Sequence, residues 1–123
     1  MTTQDNAILQ ACKEGISIWQ EAFNRQDAGG CAGQYTADSV MDARPFGSFT
    51  GREQIQAFWQ NIMDQGYADV AYTDVNWQAA NAEGLQGYIL TSSWTMNKAF
   101  GVVHKEHWVV EADGKARLLT DDF

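Results

Sequence analysis

The chain has 123 residues, of which 45% are hydrophobic and 12% aromatic, and its formal net charge is −8 at pH 7. This length suits one domain with one core, so we predict a single domain over residues 1–123 and exclude intrinsic disorder. Lys and Arg are scattered along the chain, which excludes a nucleic-acid-binding surface. The sequence has no apolar run long enough to cross a bilayer and no signal-peptide layout, so we expect a cytoplasmic protein without a membrane partner.

The first half of the chain predicts three helices. The first covers residues 4–25, where apolar side chains recur at steps of three and four: Ile8, Cys12, Ile16, Trp19 and Phe23. The second is short and begins after Asp27, a typical N-cap residue. The third begins with a capping box at residues 50–53 and ends at Gly66, with an apolar stripe formed by Ile55, Phe58, Trp59, Ile62 and Met63. Cys12 and Cys31 fall on apolar stripes and are expected to be small core residues, with neither a disulfide nor a metal between them.

Strand-forming sequence makes up most of the remainder. Residues 39–45 predict a strand that ends at Pro45, and residues 45–51 predict a turn. Four later segments rich in β-formers predict strands at 68–80, 85–97, 102–111 and 116–123. The apolar phase slips between Tyr72 and Val75, which indicates a bulge, and Asp113-Gly114 predicts a hairpin. Helices followed by a meander of strands favour the α+β class.

Several short motifs occur in a characteristic order along nearly the whole chain. They are Trp19, Phe23, Asn24 and Asp27, then Tyr35, Thr36 and Asp38, then Pro45, Gly47, residues 51–53, Ile55, Phe58 and Trp59, and finally residues 106–108 before residues 113–115. With the order of elements, they resemble the nuclear transport factor two-like superfamily, and within it the SnoaL-like and ketosteroid isomerase-like group. The resemblance implies a cystatin-like α+β barrel, a cone-shaped curved antiparallel sheet wrapped around about three N-terminal helices, with a ligand pocket at its open end. The superfamily contains isomerases, polyketide cyclases, hydrolases, dehydratases and protein-binding modules, so the fold does not fix the function.

Three positions test whether the ketosteroid isomerase mechanism is retained. That mechanism uses a carboxylate base and two neutral hydrogen-bond donors, a Tyr and a protonated Asp. By resemblance, Trp19 stands at the donor tyrosine, Arg44 at the base aspartate and Glu106 at the donor aspartate. An arginine cannot accept a proton, and an indole is a weaker donor than a phenol. Steroid isomerisation is therefore not expected.

Glu106 is the predicted acid/base residue, because the SnoaL-like cyclases that this sequence resembles rely on one pocket carboxyl group. Regular alternation along 102–110 would place Glu106 on the inner face, together with Val102, His104, Trp108 and Val110. Burial would raise the pKa of Glu106, whereas Arg44 nearby would lower it. His104 would assist as a general acid/base or as a hydrogen-bond donor to the substrate. The alternatives are that Glu106 is only paired with Arg44 or Lys105, and that His104 is structural.

Arg44 and Asp42 share a strand face by alternation and are predicted to bind substrate at the mouth of the cone. Arg44 would hold a substrate carboxylate, or would instead form a buried ion pair with Asp42 or Glu106. The aromatic walls of the pocket are predicted to include Trp19, Tyr35 and Trp108. Asp121 is assigned to a solvated tail, with a position facing the cone as the alternative.

These residues predict a pocket for a small apolar or aromatic molecule that carries a carbonyl or carboxylate group. The reaction would be cofactor-independent isomerisation, cyclisation or dehydration, with no cofactor and no metal ion. The alternatives are a non-catalytic ligand-binding domain and a protein-interaction domain. Members of the resembled family dimerise through the outer face of the sheet, so we also expect a homodimer, with apolar area from Val103, Val109 and Trp77.

Overall fold

The computed structural model describes residues 3–44 and 46–123, and its elements follow the predicted order. The helices are α1 at Thr3–Asn24, α2 at Ala28–Ala32 and α3 at Gly51–Asp64. The strands are β1 at Tyr35–Ala43, β2 at Gly47–Thr50, β3 at Ala71–Ala79, β4 at Gly87–Thr95, β5 at Phe100–Val110 and β6 at Ala116–Asp122. Among the described residues, no helix is both long enough and apolar enough to cross a membrane.

The six strands of the described chain form one curved sheet in the order β2-β1-β6-β5-β4-β3. Neighbouring strands are antiparallel except β1 and β6, which run parallel. Helix α1 packs against β4, β5 and β6, and α3 packs against β1 and β2, so the helices cover the concave face. The predicted class, an α+β barrel of the cystatin-like type, is confirmed.

Local chemistry explains where the helices begin. Asp27 caps α2 as predicted, because its Oδ1 accepts a 2.9 Å hydrogen bond from the Gly30 N–H. Thr50 is the N-cap residue of α3, but the predicted capping box is not formed. The Gln54 side chain accepts a 2.9 Å hydrogen bond from the Thr50 N–H instead. The segment 45–51, predicted as a turn, contains the short strand β2, and Pro45 itself lies outside the described residues.

Register shifts interrupt the regular pairing of strands at several places in the sheet. The bulge predicted between Tyr72 and Val75 is confirmed, since the pairing of β3 with β4 shifts between Thr73 and Asn76. Three further shifts were not predicted. The pairing of β1 with β6 shifts between Tyr35 and Val40, that of β4 with β5 shifts between Leu90 and Ser92, and that of β5 with β6 shifts at 107–108.

The core is an aromatic cluster between the helices and the sheet. The Trp19 and Trp59 rings meet edge to face at 5.0 Å between centroids, and Trp59 stacks on Phe123 at 5.5 Å. Gly15 lets α1 approach β5, because a Cβ at this position would lie 2.5 Å from the Trp108 ring. The helix therefore fixes Trp108, which in turn contacts Glu106.

The residues that we predicted to form an apolar homodimer face are not exposed as expected. Val103 and Val109 have exposed fractions of 5% and 0%, so neither supplies exposed apolar area, and that assignment is wrong. Trp77 is half-buried and packs against the core. Cys12 and Cys31 are buried free thiols, as predicted.

Candidate functional site

The concave face of the sheet encloses a cavity of about 390 Å³ that opens to solvent at one end. Its inner walls are mainly aromatic and are formed by Trp19, Phe58, Trp59, Tyr72, Trp94 and Phe123. Phe46 and Phe100 lie at the same cavity and remain exposed, at 65% and 85% of their surface. A cavity of this volume and composition is typical of a site for a small apolar molecule.

Two carboxyl groups, Glu106 and Asp121, lie at this cavity among the aromatic side chains. They are direct partners in the register of β5 and β6, so both side chains lie on the same face of the sheet. Their exposed fractions are 6% and 3%. The assignment of Asp121 to a solvated tail is therefore wrong.

Hydrogen bonds from aromatic side chains fix both carboxyl groups. The Tyr35 hydroxyl donates to Asp121 Oδ2 over 2.7 Å, and the Trp59 Nε1–H donates to the Tyr35 oxygen over 3.2 Å. The Trp108 Nε1–H donates to Glu106 Oε1 over 2.9 Å. Tyr35 and Trp108 are fully buried behind the two acids, so they hold the acids and do not form the cavity walls that we predicted for them.

Burial changes the acidity of both groups. Desolvation and the charge of Asp121 raise the pKa of Glu106 well above its usual value, against a smaller opposing effect of the Trp108 hydrogen bond. Desolvation also raises the pKa of Asp121 to about 7, although the Tyr35 hydrogen bond opposes this. Arg44 does not act on Glu106, so the predicted competition between burial and Arg44 is decided in favour of burial.

The fold around these acids is shared with solved structures. No protein-family model matches the sequence, and comparison with curated proteins gives no match. A provisionally assigned dehydratase of the NTF2-like family from Streptomyces avermitilis aligns with a TM-score of 0.74 and 13% identity, over 98% of this chain and 96% of its own. The chain has the nuclear transport factor two-like fold. The resemblance drawn from the sequence is thus confirmed at the level of the fold.

Two further solved structures share this NTF2-like fold. A cystatin-like protein of unknown function from Nostoc punctiforme gives a TM-score of 0.68 with 12% identity, covering 99% of this chain and 91% of its own. A provisionally assigned scytalone dehydratase from Novosphingobium aromaticivorans gives a TM-score of 0.71 with 11% identity, covering 99% and 86%. At these identities the comparisons establish the fold, and the residues of the site have to carry the function.

The predicted anion anchor lies at the rim of the NTF2-like cone. Arg44 lines the cavity, but its side chain is 61% exposed and binds Asp122 through two hydrogen bonds of 3.0 Å. Asp42 is exposed and accepts a hydrogen bond from Ser48. A buried ion pair of Arg44 with Asp42 or Glu106 is therefore absent from the described residues, and that prediction is wrong.

His104 does not share the inner face with Glu106 as predicted. Leu90 and Ser92 of β4 face Glu106 and Val103 of β5, so β5 carries one extra residue between these two positions. Val103 is buried in place of Val102, and His104 is exposed at the cavity mouth. A regular alternation along 102–110 is thus wrong, although its conclusion for Glu106 holds.

Two residues that the sequence analysis did not assign to the site complete it. Asp121 supplies the second acid, and Tyr72 contributes a half-buried phenol whose pKa is raised by burial and by both acids. Trp19 lines the cavity as predicted, and its Nε1–H is buried without a hydrogen-bond partner among the described residues. Within the same part of the chain, no group of three His, Cys, Asp or Glu side chains could hold a metal ion.

Proposed function

We propose that this NTF2-like domain binds a small, mainly apolar carbonyl compound in its cone and promotes a cofactor-independent acid/base step at Glu106. The reaction would be an isomerisation, a cyclisation or a dehydration. The observation that carries the proposal is the position of Glu106, a carboxyl group buried beside a second acid at an aromatic cavity of about 390 Å³.

The acidity of the site suits this chemistry. A general acid or base works best when its pKa lies near the working pH. An exposed glutamate is ionised at neutral pH and is a poor proton donor, whereas burial and Asp121 keep the pKa of Glu106 well above the usual value. Glu106 can therefore exchange a proton with a bound carbonyl compound near neutral pH.

The charges around the cavity favour a neutral carbonyl compound over a carboxylate. The two buried carboxyl groups at its wall, those of Glu106 and Asp121, can carry only negative charge. Arg44, which would have anchored an anion, is engaged at the rim by both carboxylate oxygens of Asp122. A carboxylate ligand would meet acid groups inside and would have to displace Asp122 from Arg44.

The fold comparisons support the reaction class without fixing it. Two of the similar solved structures are provisionally assigned as dehydratases, one of them as a scytalone dehydratase. A dehydration needs a proton on the departing hydroxyl group, which a buried carboxylic acid can supply.

The test has a binding stage and a turnover stage. Wild-type protein is screened by thermal shift against neutral aromatic ketones, their β-hydroxy derivatives and matched carboxylates, and compounds that bind are then followed for turnover. Glu106→Gln should bind the same compounds within about tenfold and lose about 10²- to 10⁴-fold in turnover. Glu83→Gln, an exposed change in the turn between β3 and β4, is the matched control and should change neither.

Equal turnover by Glu106→Gln and wild type would contradict the role of Glu106. Binding without turnover of any bound compound would contradict the catalytic proposal and would identify a ligand-binding domain, the alternative drawn from the sequence. Preferential binding of the carboxylates would contradict the proposed ligand class.

A further inference from the structure

Asp121 is held by a hydrogen bond that the proposed acid/base step at Glu106 does not need. Its Oδ2 accepts the short hydrogen bond from Tyr35, which is itself held by Trp59. Its Oδ1 is buried and has no hydrogen-bond partner among the described residues. A buried acceptor without a donor costs free energy of folding, so we expect a neighbouring group to donate a hydrogen bond to this oxygen.

Glu106 is placed to supply that proton. It is the direct register partner of Asp121 across β5 and β6, where side chains on one face are about 5 Å apart at Cβ. Trp108 donates to its Oε1, and within the described chain no hydrogen bond reaches its Oε2. A proton on Oε2 would therefore leave both carboxyl groups of the pair with suitable partners.

We propose that Glu106 and Asp121 share one proton once Asp121 has ionised, with Glu106 still protonated, so that Asp121 is the positioning residue that keeps Glu106 in its acid form. The consequence for catalysis, proton donation by Glu106, rests on the proposed function, whereas the shared proton does not. We call Glu106 and Asp121 the acid pair.

The two hydrogen-bond donors favour ionisation of Asp121 over Glu106. A donor to a carboxyl oxygen stabilises its charged form, and each acid accepts one such bond. Asp121 accepts from the Tyr35 phenol over 2.7 Å, whereas Glu106 accepts from the weaker Trp108 indole donor over 2.9 Å. The ionised Asp121 then disfavours a second negative charge on Glu106. Two close buried carboxyl groups titrate in separate steps for this reason.

The other charged and titratable groups near the acid pair are also of the acidic type. Tyr35 faces it from β1 and Tyr72 from β3, and the charges of Asp42 and Asp122 raise the pKa of Asp121 from further out. The basic residues Arg44, His104 and Lys105 lower the pKa of Asp122, which lies at the rim. Inside the cone, the negative charge of the acid pair is therefore reduced by protonation and not by a basic side chain.

Proton donation from this state is balanced. The O–H bond of Glu106 breaks, its electron pair stays on the carboxylate, and the proton bonds to the carbonyl oxygen or departing hydroxyl of the ligand. Return of a proton from the substrate or from water restores Glu106. Asp121 contacts neither the proton acceptor nor the ligand in this step and acts through Glu106.

The test is a titration of side-chain carboxyl carbons by NMR on the ligand-free protein between about pH 4 and 10, a range that brackets ordinary acids and these buried ones. In wild type, Asp121 should lose its proton near pH 7, and the proposal requires that Glu106 lose its proton after Asp121. Glu106→Gln should leave the Asp121 midpoint near pH 7, because Glu106 is uncharged when Asp121 ionises. Asp121→Asn should move the Glu106 midpoint to lower pH, because the neighbouring negative charge is gone.

Tyr35→Phe gives a second route if Asp121→Asn does not fold. Loss of the donor should move the Asp121 midpoint to higher pH, whereas a purely structural tyrosine would leave it unchanged. Loss of both protons in one step below pH 6, or an unchanged Glu106 midpoint in Asp121→Asn, would overturn the acid pair. Because these measurements use no ligand, their failure is distinct from a failure of the proposed function, which the turnover assay of Glu106→Gln reports.

Discussion

Asp121 and Asp122 are adjacent residues of β6, yet the fold gives them opposite environments. Asp121 is 3% exposed and bonded to a phenol, and burial raises its pKa to about 7. Asp122 lies at the rim, where the Arg44 guanidinium holds the pKa of its carboxyl group below the usual value. An aspartate is thus one half of a buried acid pair at position 121 and one half of a surface ion pair at position 122.

The face of β6 on which each aspartate lies decides its chemistry, and a bulge decides which of the two lies on the inner face. Trp108 faces Leu118, but His107 faces Thr120, so Leu119 is the extra residue on β6. Regular alternation from Leu118 would have turned Thr120 and Asp122 toward the cone. The bulge instead turns Asp121 inward and leaves Asp122 to Arg44.

The largest expected effect is on the pH dependence of stability in Asp121→Asn. The pKa of Asp121 is raised on folding from 3.8 to about 7, so the native state holds a proton that the unfolded state has released. The contribution to the free energy of unfolding is therefore full below about pH 4 and is lost as the pH rises to about 7, on the order of 4 kcal/mol in all. Asp121→Asn should remove this part of the fall and leave the part that the raised pKa of Glu106 contributes, as measured by urea unfolding at several pH values.

The matched control for that prediction is Asp38→Asn, an exposed aspartate of β1. Its curve of stability against pH should keep the wild-type slope between pH 4 and 7. If Asp121→Asn also keeps that slope, Asp121 is not a buried acid of raised pKa, and its contrast with Asp122 is lost.

The next effect concerns Tyr35→Phe, which removes the donor to Asp121. A hydrogen bond to a charged group contributes about 1.5–3 kcal/mol, so the variant should be destabilised by this amount above about pH 7, where Asp121 is ionised. Below about pH 5 the loss should be smaller, near the value of about 1 kcal/mol for a neutral hydrogen bond.

Tyr72→Phe is the comparison for that experiment, because no hydrogen bond to the Tyr72 hydroxyl occurs among the described residues. Its effect on the free energy of unfolding should be smaller and should not increase with pH. A loss for Tyr35→Phe that is independent of pH would mean that the Tyr35 hydroxyl serves packing and does not stabilise an ionised Asp121.

The sequence predicts much of this arrangement and misses the part that depends on register. The helices follow from the spacing of apolar residues such as Ile55 and Phe58, and the hairpin before β6 follows from Asp113-Gly114, with Gly114 at a φ of +83°. Glu106 is found because its resemblance to a family position and its alternation agree. These features are local, so the residues themselves specify them.

The inward position of Asp121 is not determined by the local sequence. Alternation counted along β6 gives the wrong face, because the bulge at Leu119 exists only through pairing with β5. His104 fails for the same reason, since the extra residue of β5 is defined by its pairing with β4. The useful signal would have been two acids near the ends of paired strands, one of them, Glu106, already assigned to the cone.

The smallest expected effect is that of Arg44→Gln at the rim. Arg44 is 61% exposed, and solvent-exposed ion pairs contribute little to stability. Because Arg44 lowers the pKa of Asp122, the pair stabilises the native state at neutral pH and loses its effect as the pH falls, which is opposite in sign to Asp121. The small difference in the free energy of unfolding from wild type should disappear at low pH and in about 1 M salt, which screens exposed charges.

Arg25→Gln, which breaks a similarly exposed pair with Asp27, is the matched control and should show the same dependence on pH and salt. A loss as large as that of Tyr35→Phe, or one that salt does not reduce, would mean that Arg44 belongs to the buried network, and the two aspartates would then differ in degree and not in kind.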